Sequence, residues 1–234
     1  TITDDVTFAQ AKIIDDGSNS GSNTYSVNDT AANLAAGTVT SVNALNGAQA
    51  ITASSNATAV EAAKIAAISK AVTYSISDTA ANIVANVGGL NEARDITSTD
   101  SCTFAQAKVI EDATNSRDIT YNISDSAANI AAGVGSDAAV LTAATTIAAN
   151  TYATVAELEI IGANDNAIVF SVKDTAANLA GATAARILKA VNTIATTSAN
   201  VTQATAIDTN TNAGAGGYNT FNIVDTDANV AGAG

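Results

Sequence analysis

Asp29, Asp78, Asp125, Asp174 and Asp225 recur along the chain at successive spacings of 49, 47, 49 and 51 residues. Carboxylates at fixed spacing could do two kinds of chemistry. They could offer hard oxygen ligands to a divalent cation, or two of them brought together could serve as general acid and base in glycoside cleavage. Asp15, Asp16, Glu111 and Asp112 form two further acidic pairs and are the candidate calcium ligands. A catalytic pair, however, is one constellation in one groove, whereas these acids recur with a repeated phrase. Each of the five sits within one design: TYSVNDTAANLAAG, TYSISDTAANIVAN, TYNISDSAANIAAG, VFSVKDTAANLAGA and TFNIVDTDANVAGA. Repetition at a fixed period near fifty residues marks a repeat array.

The remaining chemistry is excluded by composition more than suggested by it. The 234 residues contain no His, so nucleophilic and metal-dependent sites of the familiar kinds lose their usual base or ligand. The sequence therefore points to no enzyme and to no cofactor, with calcium kept as the one candidate ion. Nine Lys plus Arg against 22 Asp plus Glu give a formal charge of -13, which repels nucleic acid and anionic lipid. Gly214, Gly216 and Gly217 precede a strand, the wrong order for a phosphate loop that opens a helix. The single cysteine, Cys102, takes the place of Val6 in the matching copy and reads as a small buried apolar residue, leaving the redox compartment open. Apolar stretches such as AVEAAKIAAISKAV are broken by charges and too short to insert in a membrane. Thr1 falls inside a repeat, with no signal peptide in view.

Elements that would position the acids follow from the repeat itself. Four residues before each aspartate stands an aromatic, Tyr25, Tyr74, Tyr121, Phe170 or Phe221, and two before it a β-branched residue, Val27, Ile76, Ile123, Val172 or Ile223. That alternation predicts a strand burying one face, with the aromatics in an internal column. Asp followed by Thr or Ser and then mostly Ala-Ala predicts a helix start, the carboxylate acting as its N-cap. In the last copy Asp227 replaces the first alanine, which favours a helix N-terminus. Asn33, Asn82, Asn129, Asn178 and Asn229 follow four residues later and are read as an internal hydrogen-bond ladder.

A looser phrase lies between these copies: VTFAQAKII, AVEAAKIAAI, CTFAQAKVI, ATVAELEII and NVTQATAID. Phe8, Val60, Phe104, Val155 and Val201 are its expected inward anchors on a short helix, with strands before it, as in DITSTD and VLTAATT. Each unit of about fifty residues thus splits into two strand-plus-helix coils of roughly 22 to 28 residues. The expected fold is α/β, a parallel repeat solenoid of about nine or ten such coils, right-handed and roughly 45 Å long, with an all-β solenoid as the alternative. One array would fill residues 1–234, in approximate units 1–37, 38–93, 94–134, 135–182 and 183–234. Residues 97–133 lie on 1–37 without a gap, 22 of the 37 positions being identical, so a longer repeat of 96 residues overlies the shorter one. Neither end carries an evident polar cap, which leads one to expect either a longer protein or a protomer that stacks end to end.

The DTAANL/DTAANI phrase after a YSV or YSI strand, with AQA segments between, resembles the repeats of very large bacterial exported surface proteins, adhesin-like and surface-layer-like. The resemblance covers the whole chain and implies an extracellular or cell-surface location, a structural or adhesive role and export by a dedicated system. It transfers no catalytic residues, and the glycine-rich calcium nonapeptide of that kind of protein has no counterpart here. The expected function is a structural repeat module of an extracellular bacterial assembly, a filament, sheath or surface layer. Its partners would be itself or further repeats of its own kind, and a cell surface. The alternatives are a spacer or ligand-binding stalk of a large adhesin, and a virus-encoded fibre.

Overall fold

A computed structural model describes residues 2–17, 23–115, 117–163, 167–209 and 218–231. The turn candidates Gly214, Gly216 and Gly217 lie outside the described residues. Contacts divide the chain into two compact units, Thr1–Tyr121 and Asn122–Gly234. Both are mixed α/β. Thirteen α-helices among the described residues rule against the all-β alternative.

In the first unit the elements run α1 (Phe8–Asp16), β1 (Val27–Asp29), α2 (Ala31–Thr40), α3 (Val42–Asn46), β2 (Ile51–Ala53), α4 (Ala59–Ile65), β3 (Val72–Thr73), β4 (Ile76–Asp78), α5 (Ala80–Ala85), a single 3-10 turn at Val87–Gly89, β5 (Ile96–Cys102) and α6 (Phe104–Glu111). β6 (Ile119–Asp125) contains the division. The second unit continues with α7 (Ala127–Ser136), α8 (Ala138–Ala143), β7 (Thr146–Ala149), α9 (Val155–Ile161), β8 (Ile168–Val169), β9 (Val172–Asp174), α10 (Ala176–Gly181), α11 (Ala184–Ile187), β10 (Thr193–Ala195), α12 (Val201–Thr209), β11 (Asn219–Thr220) and α13 (Asp227–Ala231).

Among the described residues β1–β2–β3, β4–β5, β6–β7–β8 and β9–β10–β11 pair in parallel, in a register that sets like residues side by side. Val27 lies opposite Ile51, Ile76 opposite Ile96, and Ile123 opposite Ile147. β-branched side chains suit that pleated, half-buried surface. Tyr74 and Phe170 interrupt the strand they were expected to join. Residues before each aromatic pair with the preceding strand, as β3 with β2 and β8 with β7, and residues after it with the following one, as β4 with β5 and β9 with β10. Tyr25, Tyr74, Tyr121 and Phe170 are all buried. Burial leaves a phenol needing a partner, and Tyr25 and Tyr74 donate to the carbonyls of Ala44 and Gly89, each at 2.7 Å.

On the helices, the core joins alanines to larger aliphatic residues at helical spacing. Ala11, Ala62, Ala107, Leu158 and Ala204 are buried one turn into their helices, and Ile65, Ile110, Ile161 and Ile207 three residues further on. Those positions carry the inward face, not the expected anchors. Val60 is 46% exposed, because Ala59 rather than Val60 matches Phe8 at the first helical position. Phe8, Phe104, Val155 and Val201 are half-buried. VLTAATT, expected as strand, ends helix α8, and β7 begins only at Thr146.

Thin side chains allow very close backbone approach. A Cβ at Gly89 would lie 2.5 Å from the Ala62 backbone carbon, whereas one at neighbouring Gly88 would meet nothing nearer than the Ala63 Cβ at 3.8 Å. Gly89→Ala is therefore expected to cost about 1–3 kcal/mol by overpacking, and Gly88→Ala to be close to neutral. Urea unfolding of the two variants measures the difference.

Candidate functional site

The recurring acids, hydroxyls and asparagines all converge on helix N-termini, where the first-turn N–H groups have no partner within the helix. Ten of the thirteen described helices are of two alternating kinds, and α3, α8 and α11 begin with no side-chain cap. The first kind, here the box helices α1, α4, α6 and α9, begins with a reciprocal cap: Thr7, Thr58, Thr103 or Thr154 accepts from the N–H three residues on. There Gln10, Glu61, Gln106 or Glu157 accepts the cap's own N–H in return. Asn200 and Gln203 make the same exchange before α12, at 3.0 and 2.8 Å. The T-x-x-Q/E spacing of these caps was present in the sequence, and it is the signal that a reading from apolar anchors passes over.

The second kind, the Asn helices α2, α5, α7, α10 and α13, follows the five aspartates. Their N-caps are Thr30, Thr79, Ser126 and Thr175, which corrects the expectation that Asp29, Asp78, Asp125 and Asp174 cap these helices themselves. In the last copy Thr226 takes that role, its hydroxyl accepting the Asn229 N–H at 3.4 Å. The aspartates stand one residue earlier and use both oxygens. Oδ1 of Asp29 accepts the Thr30 N–H and the Asn33 side-chain amide, each at 2.8 Å. Asp78, Asp125, Asp174 and Asp225 repeat both bonds, each to the next residue and to Asn82, Asn129, Asn178 or Asn229. The five asparagines are exposed and bond to these carboxylates within their own segment, so they do not form the internal ladder expected of them.

The second oxygen reaches back to the preceding box helix. Asp29 Oδ2 accepts the Phe8 N–H at 2.9 Å, Asp78 the Ala59 N–H at 3.0 Å, Asp174 the Val155 N–H at 2.9 Å and Asp225 the Val201 N–H at 3.0 Å. Each of those donors is the first residue of its helix. The Asn helices receive the complementary service from the segment that follows them. Ala31, Ala80, Ala127 and Ala176 donate their N–H to Ser55 Oγ, Asp100 Oδ1, Thr151 Oγ1 and Thr197 Oγ1, at 3.1, 2.7, 3.0 and 3.0 Å.

Hydrogen bonding sets the charge state of these carboxylates. Burial pushes Asp29, Asp78 and Asp174 up, but the combined donors, Asn33, Phe8 and Thr30 in the case of Asp29, outweigh it and hold each below the usual carboxylate range. Asp225 is held down by the Val201 N–H, then by Asn229 and Thr226. A carboxylate already engaged by three donors and fixed in its ionised form is poorly placed to transfer protons. The acidic pairs are engaged differently. Asp16 binds Lys12 within α1 at 2.5 Å, Asp112, the residue after α6, binds Lys108 at 3.0 Å, and Glu111 accepts the Tyr121 hydroxyl at 3.2 Å. Among the described residues no three His, Cys, Asp or Glu side chains come together as a group that could hold a metal ion. Cys102 is fully buried, and that burial pushes its thiol up, away from the reactive thiolate.

No family model, curated protein or solved structure matches the chain.

Asp78→Ala removes acceptors from three donors in two helices and is expected to destabilise by about 2–4 kcal/mol, against about 1 kcal/mol for Thr79→Ala. The sign of the pH dependence follows from the lowered folded-state values. These carboxylates stabilise the fold above their unfolded pKa of about 4, and that contribution is lost as pH falls through the lower folded values. Urea midpoints at neutral pH and near pH 3 should therefore differ less in Asp78→Asn than in the unaltered chain.

Proposed function

We propose that this chain is a structural repeat module of an extracellular bacterial assembly, built as a parallel strand-plus-helix solenoid and acting through stacking, with no catalytic role. One observation carries the reading: the most regularly placed polar residues in the sequence are consumed in tying each segment to the next. A binding or catalytic array would leave such groups aimed at a ligand. Here Asp29, Asp78, Asp174 and Asp225 each join two successive segments by the same bonds.

The alternation of box helices with Asn helices supports two coils per unit, and the parallel pairing of sequence-adjacent strands supports coils laid one on the next. Repeats joined in this manner add length without changing the contact between neighbours, which suits a filament, sheath or surface layer. The formal charge of -13 suits a solvated surface that does not bind nucleic acid. No helix among the described residues is long and apolar enough to cross a membrane.

Immunogold electron microscopy of intact source cells, with antibodies to the 234-residue chain, tests this reading. Label on a surface layer or on filaments is expected, and label confined to the cell interior would overturn it. Calcium is not a structural requirement in this proposal, since Asp16 and Asp112 already have lysine partners. The melting temperature should be the same in millimolar calcium and in excess chelator.

A further inference from the structure

The polar residues that recur are consumed in joining segments, but several residues that break the repeat fall together at one place in the second unit. There the chain leaves β7 after β8 and joins β10 at β9, bending at Phe170. The first unit has the same bend at Tyr74, between β3 and β4. Its outer side is polar, with Asn56, Thr73 and Arg94 all exposed. Around Phe170 the matching residues are Tyr152, Val169 and Val191.

Backbone geometry fixes that correspondence. Tyr152 and Asn56 each precede an alanine, Ala153 or Ala57, that bridges to the strand after the bend. Val169 and Thr73 each end the strand before it. Val191 and Arg94 each donate their N–H to the carbonyl of the buried aromatic, at 2.7 Å. In the other copies the Tyr152 position holds Asp5, Asn56, Ser101 or Ser198, and the Val169 position is Thr every time. Tyr152 is 51% exposed and Val169 56%, so neither departure adds to the core. Single exposed apolar residues are ordinary on a protein surface. Three polar-to-apolar changes around one bend are not.

The three residues line one cleft of about 340 Å³, to which Asn150, Thr151 and Ser171 add amide and hydroxyl groups. That volume suits a ligand of about one or two sugar rings. Among the described residues that line it none is acidic, in a chain with 22 Asp plus Glu. A fourth departure stands beside it. Lys173 replaces Asn28, Ser77, Ser124 or Val224, and its ammonium lies 5.7 Å from the centre of the Tyr152 ring. Among the described residues Lys173 pairs with no carboxylate.

We propose that this cleft binds an acidic sugar, a pyranose ring bearing a carboxylate. The carbon-bound hydrogens of such a ring form an apolar face that packs on Tyr152 and Val169. Its hydroxyls match Asn150 and Ser171, and its carboxylate matches Lys173. A wholly apolar ligand would strip water from those amide and hydroxyl groups without replacing its hydrogen bonds. The net charge of -13 opposes an anion at a distance, so the local lack of carboxylates and the ammonium of Lys173 are what admit one here. The site adds a ligand to the structural role and does not depend on it.

Titration of the 234-residue chain with digalacturonate, followed by amide NMR shifts, tests the site, with the methyl ester of the same disaccharide as the neutral probe. Saturable shifts are expected at residues 150–152 and 169–173. Tyr152→Asn and Val169→Thr install the residues that the first unit carries at its own bend, so the fold should survive, as circular dichroism would confirm. Each should weaken binding at least about tenfold. Lys173→Ser, the residue at the matching Ser77, should reduce the affinity for the acid to that for the ester. Absence of saturable shifts with digalacturonate overturns the proposal, as does unchanged affinity in Tyr152→Asn and Val169→Thr. Equal affinity of the unaltered chain for acid and ester overturns the pairing with Lys173. Self-association that Tyr152→Asn abolishes, in a chain that ignores the disaccharide, would give the cleft to a second copy instead.

Discussion

The first N–H groups of each short helix are the constraint on which this structure turns. Helices of four to ten residues are marginal in water, and their exposed N-terminal donors are a large share of all their backbone groups. At eight of the ten box and Asn helices the chain answers this twice. A local Thr, Ser or Asn takes the third N–H, and a side chain from the next segment takes the first. The second bond is the consequential one, because it makes a local requirement of one segment depend on the presence of its successor. Helix formation and segment stacking then become one event, not two.

The core is compatible with such dependence because it contributes little that is specific. Alanine fills the position nearest the neighbouring helix in α1, α4, α6 and α12, and small residues bury little area each. What alanine gives instead is close approach, seen at its extreme where Gly89 meets the Ala62 backbone. Directional information must come from elsewhere. The Asp carboxylate, which takes up donors from two helices at fixed distances, sets how far one segment is displaced and turned from the last. Apolar contact then fills the gap that the polar geometry defines.

Most strand and helix positions are legible in the sequence because they rest on local rules, a β-branched residue two before the aspartate and small helix formers after it; VLTAATT, most of which closes α8, and the aromatics Tyr74 and Phe170, which break their strands, are the exceptions. Two features read less well. The sequence points Asp29 and its counterparts at their own helices because a carboxylate and a hydroxyl side by side both suit an N-cap, and one dimension cannot show which of them turns back toward another segment. Recurrence of Asn33 and its counterparts suggests an internal ladder, yet the asparagine repeats with the aspartate four residues earlier, on the outside. Val60 shows the cost of reading apolar residues before caps: Thr58 and Glu61 mark the helix start, and only with that start fixed does Ala62 fall inward and Val60 outward. The partners Ser55, Asp100, Thr151 and Thr197 all stand three residues before a box-helix cap, a spacing that becomes visible only once the caps are read.

The two reciprocal caps differ in where their donor chain carries the acceptor. An Asn-helix segment reaches back with the aspartate just before its cap, whereas a box-helix segment reaches back with a residue three before its cap. Losing or gaining one segment by unequal crossing-over would set two segments of one kind together, with acceptors at the wrong height for the helix behind them. Losing or gaining two leaves every acceptor opposite its donor. Whole repeats of 47 to 51 residues are therefore the unit whose gain or loss keeps these bonds in register. The likeness between residues 1–37 and 97–133, which lie 96 residues apart, is what duplication of two repeats together would leave behind.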